Sequence, residues 1–223
     1  MVSAQPTKGL FGKVPAHGDF ISRQLPGDFL KVWDEWLQCV VAGSKERLGD
    51  GWLDIYLTSS IWRFALRPGV VDGNAWAGVL VPSVDSVGRY FPLTLAVQIP
   101  PHTDLFSLLS EFPEWYAQLE SVALSALHEQ QNADSLLAAL ENIQQGQMKT
   151  EVHFGVTGSQ VCLGNKNSLF SSMLNQSHRD STPFSLWCAV ENENIPATSL
   201  FSSGLPNPLE YVSMLTGSWS YEI

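Results

Sequence analysis

Five polar residues in two short segments carry the chemistry open to this chain. His17 and Asp19 lie in Ala16-His17-Gly18-Asp19-Phe20; Ser83, Asp85 and Arg89 lie in Pro82-Ser83-Val84-Asp85-Ser86-Val87-Gly88-Arg89-Tyr90. A serine, a histidine and a carboxylate are the parts of a hydrolase, if they meet in space with the base beside the nucleophile. Ser83 lacks the Gly-x-Ser-x-Gly turn that exposes such a nucleophile. A histidine and an acid around a glycine also suit an ordinary polar turn. His17, Asp19 and Asp85 are metal-ligating types, but zinc wants three or four ligands with outer-shell support, and the other histidines are scattered singly. Gly9-Leu10-Phe11-Gly12-Lys13 sets a lysine after a glycine without the spacing or the Ser/Thr of a phosphate loop. No cofactor is called for.

Asp85 and Arg89, four residues apart across a turn, have two readings. Paired with each other they stiffen a hairpin, where an exposed ion pair contributes about 0–1 kcal/mol. Alternatively one of them faces a partner, a role suited to the planar guanidinium fork. The residues alone leave both open.

The elements that must position these loops follow from periodicity. Gly9 to Val14 reads as a first strand ended by Pro15. Pro26-Gly27-Asp28 starts a helix, with Asp28 as N-cap or first-turn acid. Phe29, Trp33, Trp36, Leu37 and Val40 form its buried stripe, and Leu48-Gly49 stops it. Ile61 to Arg67 is a strand with Trp62, Phe64 and Leu66 on one face. Turns at Pro68-Gly69 and Asp72-Gly73 lead to Trp76 to Val81, continuously apolar as in a strand covered on both faces. Phe91, Leu93, Leu95, Val97 and Ile99 then alternate with Tyr90, Pro92, Thr94, Ala96 and Gln98, the period of a half-buried strand. Short connections make these three an antiparallel meander. The central members of the sheet are thus 76–82 and 90–98, flanked by helices.

Past Pro100-Pro101 the period becomes helical, through Leu105 to Phe112, Tyr116 to Leu127 and a segment capped by Asp134 that carries Leu136 to Ile143. Gln144 to Gln160 reads as a loop and Ser168 to Leu174 as a short helix. Phe184 to Val190 is a further strand, and a turn at Gly204 to Leu209 enters a last helix through Leu215. There is no internal repeat and no sharp break. Residues 1–223 are expected to form one domain, sheet-rich to about residue 100 and helix-rich after it.

Composition narrows the function. With 44% hydrophobic residues, among them 8 Trp and 11 Phe, the chain can build a large core, and most of its tryptophans fall at core periods. No apolar run approaches the roughly 20 residues that span a bilayer, and Met1 to Leu10 has no signal-like apolar stretch. Cys39, Cys162 and Cys188 lack metal or redox spacing. They are expected to be free, buried thiols of a cytoplasmic protein. The net charge of −10 lies wholly in the second part: residues 1–100 hold nine basic and nine acidic residues, residues 101–223 three and thirteen. Such an acidic half argues against nucleic acid and allows attraction to a basic protein surface.

Gly9-Leu10-Phe11-Gly12-Lys13-Val14-Pro15-Ala16-His17-Gly18-Asp19-Phe20 resembles the opening motif of the TagF family, accessory proteins of bacterial type VI secretion. Trp33-Asp34-Glu35-Trp36-Leu37, Trp62-Arg63-Phe64-Ala65-Leu66, Trp76-Ala77-Gly78-Val79-Leu80 and the Pro82 to Leu95 stretch continue the likeness in order. Ser185-Leu186-Trp187 and Gly204-Leu205-Pro206 resemble its C-terminal landmarks. Ser86 stands where the family often has a basic residue, and Cys188 where it has an aromatic. The resemblance implies an α/β fold, a three-layer α/β/α sandwich around a mixed, largely antiparallel sheet. It also implies a cytoplasmic, non-enzymatic, post-translational repressor of the secretion machine whose partner is a forkhead-associated scaffold protein. A repressor of this kind needs a rigid scaffold and an exposed polar patch. His17, Asp19, Ser83, Asp85 and Arg89 are its candidate contacts, with Asp19, Asp85 and Arg89 expected together at one edge of the sheet. The alternative is a hydrolase or metal-dependent enzyme built on the same loops.

Overall fold

The computed structural model describes residues 6–144, 152–154, 160–162, 170–171, 174–175, 178, 182–189, 191–192 and 195–219. Five strands come from the first hundred residues: β1 (Lys8–Gly12), β2 (Ile21–Arg23), β3 (Trp62–Leu66), β4 (Ala75–Val81) and β5 (Leu93–Ile99). After a separate small ladder of β6 (Val152–Phe154) and β7 (Gln160–Cys162), β8 (Phe184–Ala189) and β9 (Thr198–Ser203) complete an open seven-stranded sheet, ordered β2-β1-β5-β4-β3-β8-β9. Every pairing among the described strands is antiparallel, so the mixed sheet expected from the sequence is corrected. Parallel neighbours need a crossover connection, whereas the two helical excursions here, from β2 to β3 and from β5 to β8, return the chain beside a strand of opposite direction.

The helices cover both faces. On one lie α1 (Gly27–Leu48) and α2 (Trp52–Thr58), joined by α6 (Pro208–Thr216); on the other lie α3 (Leu105–Glu111), α4 (Pro113–His128) and α5 (Ala133–Asn142). The result is the three-layer α/β/α arrangement. α1 keeps Asp28 in its first turn and Lys45 and Arg47 in its last, each sign suiting the helix dipole, and stops at Gly49 with φ 56°. Asp104 caps α3, and α6 opens on a capping box of Asn207 and Glu210. The cap of α5 is Asn132 rather than Asp134, because the Asn132 carboxamide accepts from the N–H groups of Asp134 and Ser135.

The two faces differ in chemistry. β4 sends Ala75, Ala77, Val79 and Val81 toward α4, and Trp76 and Leu80 toward α1. β5 does not remain half-buried as its alternation suggests: Thr94 and Ala96 are as buried as Leu93 and Leu95. They are small because the aromatic layer beneath α1 needs the room. There Trp33 packs on Phe29 at 5.3 Å, on Phe64 at 5.0 Å and, nearly parallel, on Trp187 at 6.1 Å. A β-carbon at Gly78 would run into the backbone carbonyl of Leu95 in β5 and lie 2.7 Å from the Phe64 ring, which explains the glycine inside a central strand. The hydroxyl of Thr94 accepts the indole N–H of Trp33 at 2.8 Å.

Other departures are local. The sequence reading omits α2, β2, β7 and β9. Val152–Phe154 is a strand within the segment read as a loop, while Phe170, Ser171 and Leu174 are helical as expected, as is Asn175 just past the expected end; the rest of the Ser168 to Leu174 segment lies outside the described residues. Cys39 is exposed, on the solvent side of α1, and Cys188 is half-buried; neither is the buried thiol expected. The side chain of Cys162 lies outside the described residues.

Thr94→Val keeps the shape but removes the acceptor of a buried indole N–H. An unsatisfied buried donor costs about 1–3 kcal/mol. Urea unfolding is therefore expected to show a loss in that range with unchanged far-UV circular dichroism, and a markedly smaller loss would mean that Trp33 does not depend on Thr94.

Candidate functional site

β1 and β4 run in the same direction on either side of β5, so their C-terminal ends emerge together at one end of the sheet. The segment after β1 (residues 13–20) and the loop after β4 (residues 82–92) therefore meet there. Asp19, Asp85 and Arg89 do come together, at the strand ends rather than at a lateral edge.

Asp85 is the centre of the cluster. It is buried, and one carboxylate oxygen, Oδ1, accepts the backbone N–H groups of Val87 (3.0 Å) and Arg89 (2.9 Å). The other, Oδ2, accepts from Lys13 Nζ and from Arg89 Nε at 2.7 Å. Burial alone pushes this carboxyl up; the hydrogen bonds from Lys13, Arg89 and Val87 outweigh it and hold the group well below the usual carboxylate range. The hairpin reading of the Asp85–Arg89 pair is realised, since the bond closes the turn from Asp85 to Arg89. Gly88 occupies φ 84° within that turn.

Lys13 is almost fully buried, and its ammonium also lies 4.4 Å from the centre of the Phe20 ring. The Phe20 ring is half exposed, packed edge-on against Phe91 at 4.8 Å and parallel to Phe11 at 6.0 Å. Ser83 is buried and donates its hydroxyl to the Lys13 carbonyl at 2.7 Å. Its backbone is clamped by the Tyr56 hydroxyl of α2, which accepts from Ser83 N–H (2.9 Å) and donates to Ser83 O (3.2 Å). Burial raises that phenol well above its ordinary value, so it stays a neutral donor.

His17 joins three elements. Its N–H donates to Val14 O, its carbonyl accepts Ser86 N–H at 3.0 Å, and its Nε2 accepts the N–H of Ala133, the first residue of α5, at 3.1 Å. Arg89 extends outward, its side chain 56% exposed, with Nη2 donating to Gly18 O and 3.6 Å from a carboxylate oxygen of the fully exposed Asp19. Val87 stands out from the same loop, about two-thirds exposed.

Of the five residues singled out by sequence, Ser83 and Asp85 thus face inward, His17 braces the loop, and Asp19 and Arg89 reach solvent. Sequence reasoning misses Lys13, Phe20 and Tyr56. A lysine among the apolar residues of Leu10 to Val14 is the available signal, because a buried ammonium requires a partner.

Asp85 gives up its proton more readily in the folded chain than in the unfolded one. Its contribution to stability is complete above the ordinary carboxylate pKa of about 3.9, and disappears as the pH falls through the lower folded value. Urea unfolding from neutral to strongly acid pH is expected to show Asp85→Asn less stable than the parent at neutral pH, with the gap closing in acid. A gap that stays constant would locate the acid sensitivity elsewhere.

The comparisons with known proteins agree with this architecture. The family model described as TagF N-terminal domain, type VI secretion system-associated, matches residues 9–143, which include both loops of the site. The crystal structure of PA0076 from Pseudomonas aeruginosa PAO1 is similar at a TM-score of 0.81 and 34% identity, over 96% of this chain and 96% of that one. No curated protein matches. With more than half of its length matched by that model, the chain belongs to the TagF family, associated with type VI secretion.

Proposed function

We propose that this chain is a post-translational negative regulator of type VI secretion that acts in the cytoplasm by binding a forkhead-associated scaffold protein, without catalysing a reaction. Family membership supports the link to secretion. The observation that favours binding over catalysis is the commitment of the polar side chains. The hydroxyl of Ser83 is buried and spent on the Lys13 carbonyl, and Nε2 of His17 is spent on the N-terminus of α5. A nucleophile and a base would have to face each other and a substrate. Among the described residues, no group of three or more His, Cys, Asp or Glu side chains is placed to hold a metal, which weighs against the metal-dependent alternative. No described helix is long and apolar enough to cross a membrane.

In this reading the partner docks on Arg89 and the exposed surface around Asp19, while His17, Ser83 and Asp85 hold the two loops in register. Phe20 and Val87 add exposed apolar surface to the same two loops. A contact patch works best when its side chains are fixed by packing beneath it, which is what the Lys13–Asp85–Arg89 cluster provides.

Deletion of the gene is expected to raise secretion of the tube protein under repressing conditions, and overproduction to lower it, with transcript levels of the apparatus unchanged. Purified chain is expected to capture the scaffold protein from cytosol. Secretion unaltered by deletion would sink the repressor reading, and hydrolase activity lost on Ser83→Ala would revive the enzymatic one.

A further inference from the structure

We infer that Arg89 is an anchor for a carboxylate carried by the partner protein, and that Asp19 is an exposed stand-in which that carboxylate displaces; this rests on the binding reading above. Of the five N–H groups of a guanidinium, Arg89 commits Nε to Asp85 and one hydrogen of Nη2 to Gly18 O. Nη1 makes no hydrogen bond among the described residues. The fork is therefore held rigid along one side and open along the other. Rigidity matters because a guanidinium that is already oriented loses less freedom on pairing.

The charges point to an anion. Lys13 and Arg89 bring two positive charges to the single buried carboxylate of Asp85. Among the described residues the surplus is met by Asp19, whose side chain is 99% exposed and whose nearest oxygen lies 3.6 Å from Nη2, beyond hydrogen-bond distance. An exposed pair of that geometry holds weakly, so a better-placed acid can replace it. With Asp19 in place the four charges balance; once Asp19 swings away the patch carries one positive charge in excess, on a chain whose net charge is −10.

The surroundings select a side chain on a protein surface rather than a free ion. Phe20, half exposed, fixed against Phe91 and next to Asp19 in the chain, and Val87, two residues before Arg89, bring exposed apolar surface to the same two loops. An immobilised aromatic beside an arginine is a common composition for the strongest contacts of an interface. An acidic residue with an apolar neighbour in sequence matches this layout.

Two measurements on the full chain test the assignment. In the first, the side-chain nitrogen resonances of Arg89 are followed during titration with sodium acetate and, separately, inorganic phosphate at constant ionic strength, with the exposed Arg47 as internal control. Arg89 is expected to respond to acetate at concentrations that leave Arg47 unmoved, and at lower concentrations still in Asp19→Asn. If Arg89 merely tracks Arg47, the anchor does not exist. If phosphate binds well and acetate does not, the carboxylate assignment is wrong. In the second, affinity for the purified scaffold protein is expected to rise about threefold or more in Asp19→Asn, and to fall more than tenfold in Arg89→Lys, which keeps the charge but loses the fork, and in Phe20→Ala. Melting curves accompany Arg89→Lys, because that residue also bonds Asp85; Asp19 is exposed, so its variant reports on binding alone. A parent chain that fails to bind the scaffold rejects the function proposed above, and the acetate titration then decides the anchor by itself. A scaffold that binds equally well to the parent, Asp19→Asn and Arg89→Lys overturns the anchor and keeps the function.

Discussion

A carboxylate taken out of water must recover, from the protein, the hydrogen bonds and the countercharge it leaves behind. Asp85 recovers both from four donors: an ammonium on the segment after β1, a guanidinium four residues further on, and two backbone N–H groups of its own turn. Each donor enters from a different direction, so the group is satisfied only when the two loops take one relative position. A buried ion pair is a poor source of net stability compared with an apolar substitute of the same volume. We therefore assign the Lys13–Asp85 pair to registry. It determines which way the loops face, and the hydrophobic layers on either side of the sheet supply the driving force for folding.

Those layers place a second set of polar groups inside the molecule. A tryptophan brings a large apolar ring and an N–H that needs an acceptor. Thr94, Ser44, Asp72 and Ser185 accept from Trp33, Trp52, Trp76 and Trp187, while Trp36 and Trp62 donate to the carbonyls of Pro206 and Met214. The buried serines and threonine of this face are thus consequences of its aromatics. The opposite face, built from Ala, Val and Leu of β4 and β5 against α4 and α5, needs few such groups. Its main polar crossing is the forked pairing of Arg63 with Glu120, at 2.6 and 3.1 Å.

What the sequence reveals depends on how local the cause is. The stripe from Phe29 to Val40, the stop at Gly49 and the apolar run of β4 are set by neighbours a few residues away, and each emerges where periodicity places it. The second buried face of β5 is hidden, because Thr94 and Ala96 look solvent-facing until α1 is laid over them. β9, with burial alternating along Thr-Ser-Leu-Phe-Ser-Ser, is an edge strand too weakly patterned to stand out. In the site, the proximity of the two loops could be expected from the strands preceding them. The burial of Asp85 could not, because its decisive partner, Lys13, is 72 residues away and reads locally as the end of a strand.

Asp19 and Asp85 show how position divides one chemistry into two roles. Both carboxylates lie beside the same guanidinium. Asp85 is enclosed, fully hydrogen-bonded and held ionised, so it behaves as a fixed part of the scaffold on which Arg89 rests. Asp19 is surrounded by solvent, keeps its own hydration, and gains little from Arg89 at the distance it stands. Water competes for one and not for the other. A guanidinium caught between a carboxylate that cannot leave and one that scarcely holds is oriented without being saturated. That condition distinguishes a binding group from a structural ion pair, and here it arises from the two loops meeting at the end of the sheet.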